Sequence, residues 1–210
     1  MRRTRDTLPF EFVGGSPAVD FVNTVSWRGE ERVRNERFLS FESVITWALD
    51  GGVIAAREAA ELRRKALAAP PAARLEFRLL FRFRTALHAL FSSLAAGRSA
   101  PESLAAVNRL LHETLRRIEL APGEGALAWQ TETEPAGIGT IRHRVALDAA
   151  RLLTSASDFQ QLRRCGRDIC GWLFIDRSRR GNRRWCKMND CGSQEKSRRY
   201  YLRRKAARRG

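Results

Sequence analysis

The four cysteines of this 210-residue chain all lie in its last quarter, in two pairs with the same spacing. Four residues separate the two members of each pair, which are Cys165 and Cys170, then Cys186 and Cys191. Two thiolate pairs brought in by tight turns are typical of a structural zinc site, in which four sulfur atoms surround the ion tetrahedrally. The pattern therefore predicts a Zn²⁺ ion held by these four residues.

Two disulfides, or four ordinary buried thiols, would also account for the cysteine pattern. The zinc interpretation is favoured because nothing in the sequence indicates export to an oxidising compartment. A segment this short and charged also cannot fold on apolar burial alone, whereas a metal ion would supply roughly 10–16 kcal/mol. No apolar run is long enough to span a membrane, so we expect a cytoplasmic protein with no membrane partner.

Positive charge is concentrated around and after the cysteines. The chain has 39 Lys and Arg against 23 Asp and Glu, a net charge of +16. The part from Arg163 onward holds 17 of these basic residues and only 4 of the acidic ones, so the part before it is nearly neutral. This asymmetry predicts a polyanionic partner. DNA is the partner we expect, and RNA is the alternative.

The sequence ahead of the cysteines has mainly helical periodicity. Ser16 and Pro17 predict a capped helix start, and this helix is expected to end near Trp27, before a charged loop. Further helices are predicted after Ser40, over 55–69, over 72–96, after Pro101 and over 142–155. An alternating pattern around Leu120 and Trp129 predicts a short β-hairpin. The helices should therefore form one mainly helical domain that carries this hairpin.

The cysteine-containing segment is predicted to be a small, treble-clef-like zinc finger. A strand over 172–175 and a returning strand over 183–185 would form a hairpin between the two cysteine pairs. A basic helix over 192–208 would follow, with the last cysteine at its start. The predicted fold class is therefore α+β, with a mostly helical N-terminal domain over residues 1–160 followed by the zinc finger over residues 161–210.

Two stretches of the sequence resemble known families. The segment from Ala18 to Thr24 resembles the opening motif of the ABATE domain, and the cysteine segment resembles the CGNR zinc-finger family. The residues that carry the second resemblance are Cys165, Cys170, Phe174, Asp176, Ser178, Arg183, Arg184, Trp185, Cys186, Met188, Cys191, Gly192 and Lys196. The family signature Cys-Gly-Asn-Arg is Cys-Gly-Ser-Gln at 191–194 in this chain, so the metal ligands are kept and the Asn-Arg pair is replaced.

The resemblance implies a zinc-dependent, stress- or signal-responsive transcription regulator. Its N-terminal domain would sense a signal, with an unknown small molecule as effector, or would form a homodimer. The basic finger would contact DNA, mostly at the phosphates. The residues expected to make these contacts are Arg177, Arg179, Arg180, Arg183, Arg184, Lys187, Lys196, Arg198, Arg199, Arg203 and Arg204.

Other functions compete with DNA binding. An RNA- or ribosome-associated zinc protein would use the same charges and aromatic side chains. An enzyme is not expected, because four thiolate ligands leave no open position on a zinc ion. The histidines at 88, 112 and 143 are scattered, and we interpret them as core or surface residues. A redox switch that expels zinc on oxidation is a further alternative.

Asp20 and Asn23 are polar positions within an otherwise apolar predicted helix. Their spacing of three residues places them on neighbouring parts of one face. They would line a ligand pocket in the N-terminal domain. In a simpler interpretation, they cap a helix or form buried hydrogen bonds to another helix.

Overall fold

The computed structural model describes residues 10–28, 32–131 and 137–207 of the chain. Its helices are α1 (Pro17–Val22), α2 (Phe41–Asp50), α3 (Ala56–Ala68), α4 (Pro70–Ala95), α5 (Pro101–Leu115), α6 (Thr140–Thr154), α7 (Ala156–Gln160) and α8 (Ser193–Ala207). Its strands are β1 (Ser26–Arg28), β2 (Arg32–Arg34), β3 (Ile118–Pro122), β4 (Leu127–Thr131), β5 (Leu162–Arg164) and β6 (Leu173–Ile175). They form three separate antiparallel pairs, β1 with β2, β3 with β4 and β5 with β6. The predicted α+β class is confirmed.

Local capping fixes where the early helices begin. The Ser16 hydroxyl accepts a hydrogen bond from the Val19 amide at 3.4 Å, and Pro17 occupies the first helical position, as its fixed φ favours. Ser40 and Ser43 form a reciprocal capping box at the start of α2. Both helix starts were predicted from these residues, and both predictions are confirmed.

The first helix is shorter than the sequence predicts. It ends at Val22 instead of near Trp27, and the chain then turns and enters β1. The charged loop predicted after it is also wrong in part, because residues 32–34 form β2. The reason is local: the Thr24 hydroxyl donates to the Phe21 carbonyl at 2.7 Å, which turns the chain out of the helical path. Residues 29–31 of the predicted loop lie outside the described ranges.

The long helix α4 lies at the centre of the fold, as its apolar stripe predicts. It packs against α1, α2, α3 and α5, and it also contacts β5. Four aromatic rings join these helices: Phe21 lies 5.8 Å from Phe83, 5.5 Å from Trp47 and 5.9 Å from Phe38 between ring centroids. Such pairs stabilise the core beyond the area they bury. The apolar core therefore forms around α1 and α4.

Two arginines are buried in this body, each opposite a glutamate. Arg142 on α6 binds Glu76 on α4, with its Nε 2.8 Å from Oε1. Arg84 on α4 binds Glu36 and lies 4.4 Å above the Phe81 ring. Burial raises the pKa of Glu76, and the hydrogen bonds from Arg142 oppose this shift. The first pair links α6 to α4, and the second links α4 to the segment that precedes α2.

The strand pairing within the cysteine segment differs from the prediction. The strand β6 pairs with β5, in the register Leu162 to Ile175 and Arg164 to Leu173, and not with residues 183–185. The first cysteine pair therefore lies in the connection between two paired strands, and the backbone of the predicted returning strand has other partners, such as the Asp176 carboxylate for the Arg183 N–H. Residues 183–185 form no strand, and Met188–Gly192 forms a π-helical turn that leads into α8. Within the described ranges, no helix combines the length and the apolar character needed to cross a bilayer.

Candidate metal centre and basic surface

The four cysteine sulfur atoms meet at one point, and all lie within 4.8 Å of one another. The Sγ atom of Cys186 is 3.6 Å from that of Cys170 and 3.6 Å from that of Cys191. A disulfide would require about 2.05 Å. Four sulfurs at about 2.3 Å from a central Zn²⁺ would lie about 3.8 Å apart, close to the observed spacing. The cluster therefore has the donor type, the number and the spacing of a tetrahedral metal site, and all four thiols are free.

The thiols strongly influence one another's ionisation. Hydrogen bonds from Cys170 and Cys186 lower the pKa of Cys165 to about 2. The same contacts with Cys165 raise the pKa of Cys170 and of Cys186, and burial raises that of Cys191. Without a metal ion, the negative charge of the cluster therefore lies mainly on the Cys165 sulfur. A cation at the centre would ionise the other three thiols as well, because metal binding displaces their protons.

Two guanidinium groups lie beside the thiolates. Arg167 hydrogen-bonds the Cys191 sulfur. Arg37, whose side chain is only 8% exposed, is close enough to Cys170 for the two charges to interact and lies 5.0 Å above the Trp172 ring. Arg37 also forms an ion pair with Glu11 at 4.0 Å. A zinc ion with four thiolates carries a net charge of −2, which Arg167 and, in part, Arg37 would offset. Sequence reasoning missed Arg37, because nothing in the spacing of the chain links it to the cysteines.

Asp176 organises the basic loop that follows β6. Its carboxylate accepts hydrogen bonds from the Ser178 amide at 3.0 Å, the Ser178 hydroxyl at 2.6 Å and the Arg183 amide at 2.9 Å. Desolvation would raise the pKa of Asp176, but these hydrogen bonds hold it below its usual value. The loop that presents Arg179 and Arg180 is therefore fixed at both ends.

Arg183 and Lys187 differ from the other predicted DNA-contact residues, because the structure uses both internally. The Arg183 guanidinium donates to three carbonyl oxygens and stacks 4.2 Å above the Phe174 ring. Lys187 lies 2.9 Å from a carboxylate oxygen of Glu11. Both side chains thereby attach the segment around Val13 to the cysteine cluster.

Asn23 joins the helical body to the cysteine segment. Its amide nitrogen donates to the Leu173 carbonyl at 2.8 Å, and its amide oxygen accepts from the Leu173 N–H at 2.9 Å. The side chain thus takes the place of a neighbouring strand along β6. The Ile175 N–H donates to the Gly14 carbonyl at 2.8 Å, and the Trp172 indole donates to the Val25 carbonyl at 2.9 Å. This edge of β6 is therefore paired with the N-terminal domain.

Asp20 lies in the same junction. Its carboxylate accepts from the Gly14 N–H at 2.7 Å and is only 7% exposed. Burial raises the pKa of Asp20 to about 6, although the backbone hydrogen bonds oppose the shift. Asp20 and Asn23 therefore form buried hydrogen bonds, as in the simpler sequence interpretation, but their partners are Gly14 and the strand β6 instead of another helix. The ligand pocket that we predicted at these two residues stays a prediction.

A polar cleft of about 190 Å³ opens beside the cysteine cluster. Its walls come from both parts of the chain and include Arg37, Asn35, Arg167, Cys170, Asp190 and Gln194. The Gln194 amide donates to the Asp190 carboxylate, so the glutamine that replaces the signature arginine binds within the turn that precedes α8. The predicted pocket residues do not line this cleft.

The remaining predicted DNA-contact residues form an exposed basic surface. Arg177, Arg179, Arg180 and Arg184 lie on the loop after β6, and Lys196, Arg198, Arg199, Arg203 and Arg204 lie along α8. Some form exposed ion pairs, such as Arg199 with Glu195 at 3.1 Å and Arg198 with Asp168 at 3.6 Å. Exposed pairs of this kind are weak and exchange easily for other partners.

Two family models match the chain. The ABATE model, described as "Putative stress-induced transcription regulator", matches residues 15–156. The model described as "CGNR zinc finger" matches residues 161–204. Comparison with curated proteins gives no match. The resemblance noted from the sequence is therefore confirmed at both positions.

Replacing Asn23 by Ala should loosen the junction between the two parts. The change leaves the Leu173 N–H and C=O without these partners, at a cost of about 1–3 kcal/mol for each buried group. Denaturant unfolding should show the loss, and limited proteolysis should cut sooner between β5 and β6. The matched control is Asn108→Ala on the exposed side of α5, which should change stability by less than about 0.5 kcal/mol. Equal effects of the two variants would contradict this role of Asn23.

Asp20 should make stability depend on pH. Its pKa is raised from 3.8 unfolded to about 6 folded, so its contribution is fully present below the unfolded pKa and is lost as pH rises through about 6. Relative to Asp20→Asn, the native protein should lose about 2 kcal/mol between pH 4 and pH 7, because the unfolded carboxyl is already partly ionised at pH 4. Denaturant unfolding of both proteins across this range measures the difference in their free energies of unfolding. Thiol protonation affects both proteins equally, so it cancels in this difference. A difference that does not vary with pH would rule out the raised pKa.

Proposed function

Because the chain belongs to the ABATE family and carries a CGNR zinc finger, we propose that it is a zinc-dependent transcription regulator that binds duplex DNA. The observation that carries this proposal is α8, a basic helix held at one end by a four-cysteine cluster and exposed along its length. We also propose regulation in response to stress, because the ABATE family is described as stress-induced transcription regulators.

Zinc is the metal that best suits the cysteine cluster. Four thiolates at the observed spacing are the donor set of closed structural zinc sites. Soft sulfur ligands disfavour magnesium and calcium, which take oxygen ligands. With zinc bound, four protein ligands fill its coordination sphere, so the ion supplies folding energy and has no position for a substrate. We therefore propose a structural ion and a function other than catalysis.

The basic helix has no packed face of its own. Every side chain from Lys196 to Lys205 is exposed, including Tyr200, Tyr201 and Leu202. Among the described elements, α8 contacts mainly the turn that precedes it. A helix with positive charge all round and no intramolecular surface to cover suits a groove with phosphates on both sides. We therefore assign the phosphate contacts to α8 and to the exposed loop arginines.

The contacts described above refine the expected set of DNA-contact residues. Arg183 and Lys187 hold the N-terminal segment, so we assign them to the support of the surface and not to its outer face. Arg177 lies 3.4 Å from Asp158, an exposed pair that can open toward a phosphate. The proposed contacts are therefore Arg177, Arg179, Arg180, Arg184 and the exposed cations of α8.

Metal analysis should find about one zinc ion per chain in protein purified without added metal. Cys191→Ser should lower the zinc content and the helicity of the C-terminal part, because the turn before α8 carries this ligand. The matched control is Ser193→Ala, two residues further on, which keeps all four thiols. Metal-free protein with its thiols paired as disulfides would contradict the zinc site.

Binding to duplex DNA should fall steeply with salt, with a slope in log affinity of roughly −0.9 for each phosphate neutralised. Replacing Arg199 and Arg203 together by Ala should weaken binding to every duplex and flatten the slope by about one to two, because the two side chains lie one helical turn apart. Fluorescence anisotropy over a salt series measures both effects.

A matched control is the double variant Arg78→Ala and Arg82→Ala. These two arginines have the same spacing and are also exposed, but they lie on α4 in the N-terminal domain. This double variant should leave the salt dependence of DNA binding unchanged. An unchanged slope in the α8 variant would contradict its phosphate contacts. Much tighter binding to single-stranded RNA, lost in the α8 variant alone, would replace DNA by RNA as the partner.

A further inference from the structure

The hairpin formed by β3 and β4 turns its apolar face to solvent. Leu120 lies directly opposite Trp129, and Pro122 lies opposite Leu127, so these four side chains share one face of the pair. The exposed fractions are 56% for Leu120, 67% for Leu127 and 70% for Trp129. The other face carries Glu119 and small or polar residues. The hairpin is therefore amphipathic, but its apolar face covers nothing in the part of the chain that the structure describes.

The hairpin also stands apart from the rest of the fold. Among the described elements, its strands contact mainly each other, and none of its described side chains belongs to the apolar core. A lone two-stranded hairpin is marginal in water, and it needs a helix or further strands against its apolar face to be stable. Contiguous exposed apolar groups of this kind mark interaction sites. The hairpin therefore requires a partner that covers this face.

We propose that the partner is the same face of a second copy of this chain. The face carries no charged side chain, so it is complementary to itself, as an interface across a two-fold axis requires. Two such faces would form a four-stranded sandwich, with each Trp129 packed against the partner's apolar strand residues. Packing of this type would bury the largest side chain of the face on both copies.

Charge selects how the two hairpins lie across each other. The base of the hairpin carries Arg116 and Arg117, and its turn carries Glu124, all of them exposed. A two-fold axis perpendicular to the strands brings the base of each hairpin against the turn of the other. Arg116 and Arg117 of each copy then lie near Glu124 of the other copy. An axis along the strands would instead bring the two arginine pairs together. The first arrangement also keeps the two helical bodies at opposite ends of the sandwich.

This dimer does not depend on DNA binding, although it would give a DNA-binding assembly two fingers related by symmetry, as paired half-sites require. The two proposals can therefore fail separately. A monomer could still bind DNA, and a dimer could form without any affinity for nucleic acid.

Sedimentation velocity of the full-length, zinc-loaded protein tests the dimer over a wide range of concentration at fixed salt. The native chain should show a reversible dimer. Trp129→Ser should weaken it by roughly tenfold or more, as expected for a central aromatic contact. The matched control is Leu67→Ser on α3, an even more exposed apolar side chain, at 82%, in a different part of the surface. Zinc content and circular dichroism confirm that each variant is folded.

Charge reversal tests the arrangement. Arg117→Glu should weaken the dimer several-fold, and the further change Glu124→Arg should restore it, because the two positions face each other across the interface. A monomer at every concentration, or a dimer weakened no more by Trp129→Ser than by Leu67→Ser, would overturn the proposal. Failure of the double reversal to restore the dimer would overturn the base-to-turn arrangement.

Discussion

The three-residue strand β6 is the constraint on which the rest of the structure depends. Its side chains alternate between two cores: Leu173 and Ile175 pack into the helical body, and Phe174 packs against the cysteine cluster. Its backbone is shared in the same way, with β5 on one edge and Asn23 and Gly14 on the other. A shift by one residue would exchange the two sets of side chains and break both sets of hydrogen bonds. The position of the metal centre relative to the helices is therefore fixed by the register of this strand.

The parts of the fold that the sequence predicted are those decided by near neighbours. Caps such as Ser40, the apolar stripe of α4 and the two cysteine pairs act over a few residues, and the structure has all three. The pairing of β6 with β5, by contrast, depends on which segment reaches β6 in the folded chain, and the sequence analysis paired it with residues 183–185 instead. The role of Asn23 was equally open, because its partner lies 150 residues away. Contacts between residues that are far apart in the sequence leave no local sequence pattern from which they could be predicted.

Charge is handled differently in the two parts of the chain. In the helical body, each buried cation has a carboxylate partner, as Arg142 has Glu76. Around the cysteines, Arg167 hydrogen-bonds a sulfur atom and Arg37 lies near both the Glu11 carboxylate and Cys170, and a metal ion decides how much negative charge the sulfur atoms carry. Arg37 belongs to the N-terminal domain, so the charge state of the metal centre directly affects the electrostatic environment of a residue in that domain. The expected boundary between residues 160 and 161 is crossed by these interactions and by β6, and a division into two domains remains a proposal.

The unpacked surface of α8 has a consequence for its folding. A helix of 15 residues without a tertiary contact surface is marginal in water. Like charges one turn apart, as at Arg199 and Arg203, disfavour it further. Neutralising those charges removes the repulsion, so any polyanion that binds α8 also stabilises its helical form. Helix formation in α8 and binding of the partner are then thermodynamically coupled. Backbone amide hydrogen exchange along α8 should therefore slow when the partner is present, most of all beyond the first turn of the helix.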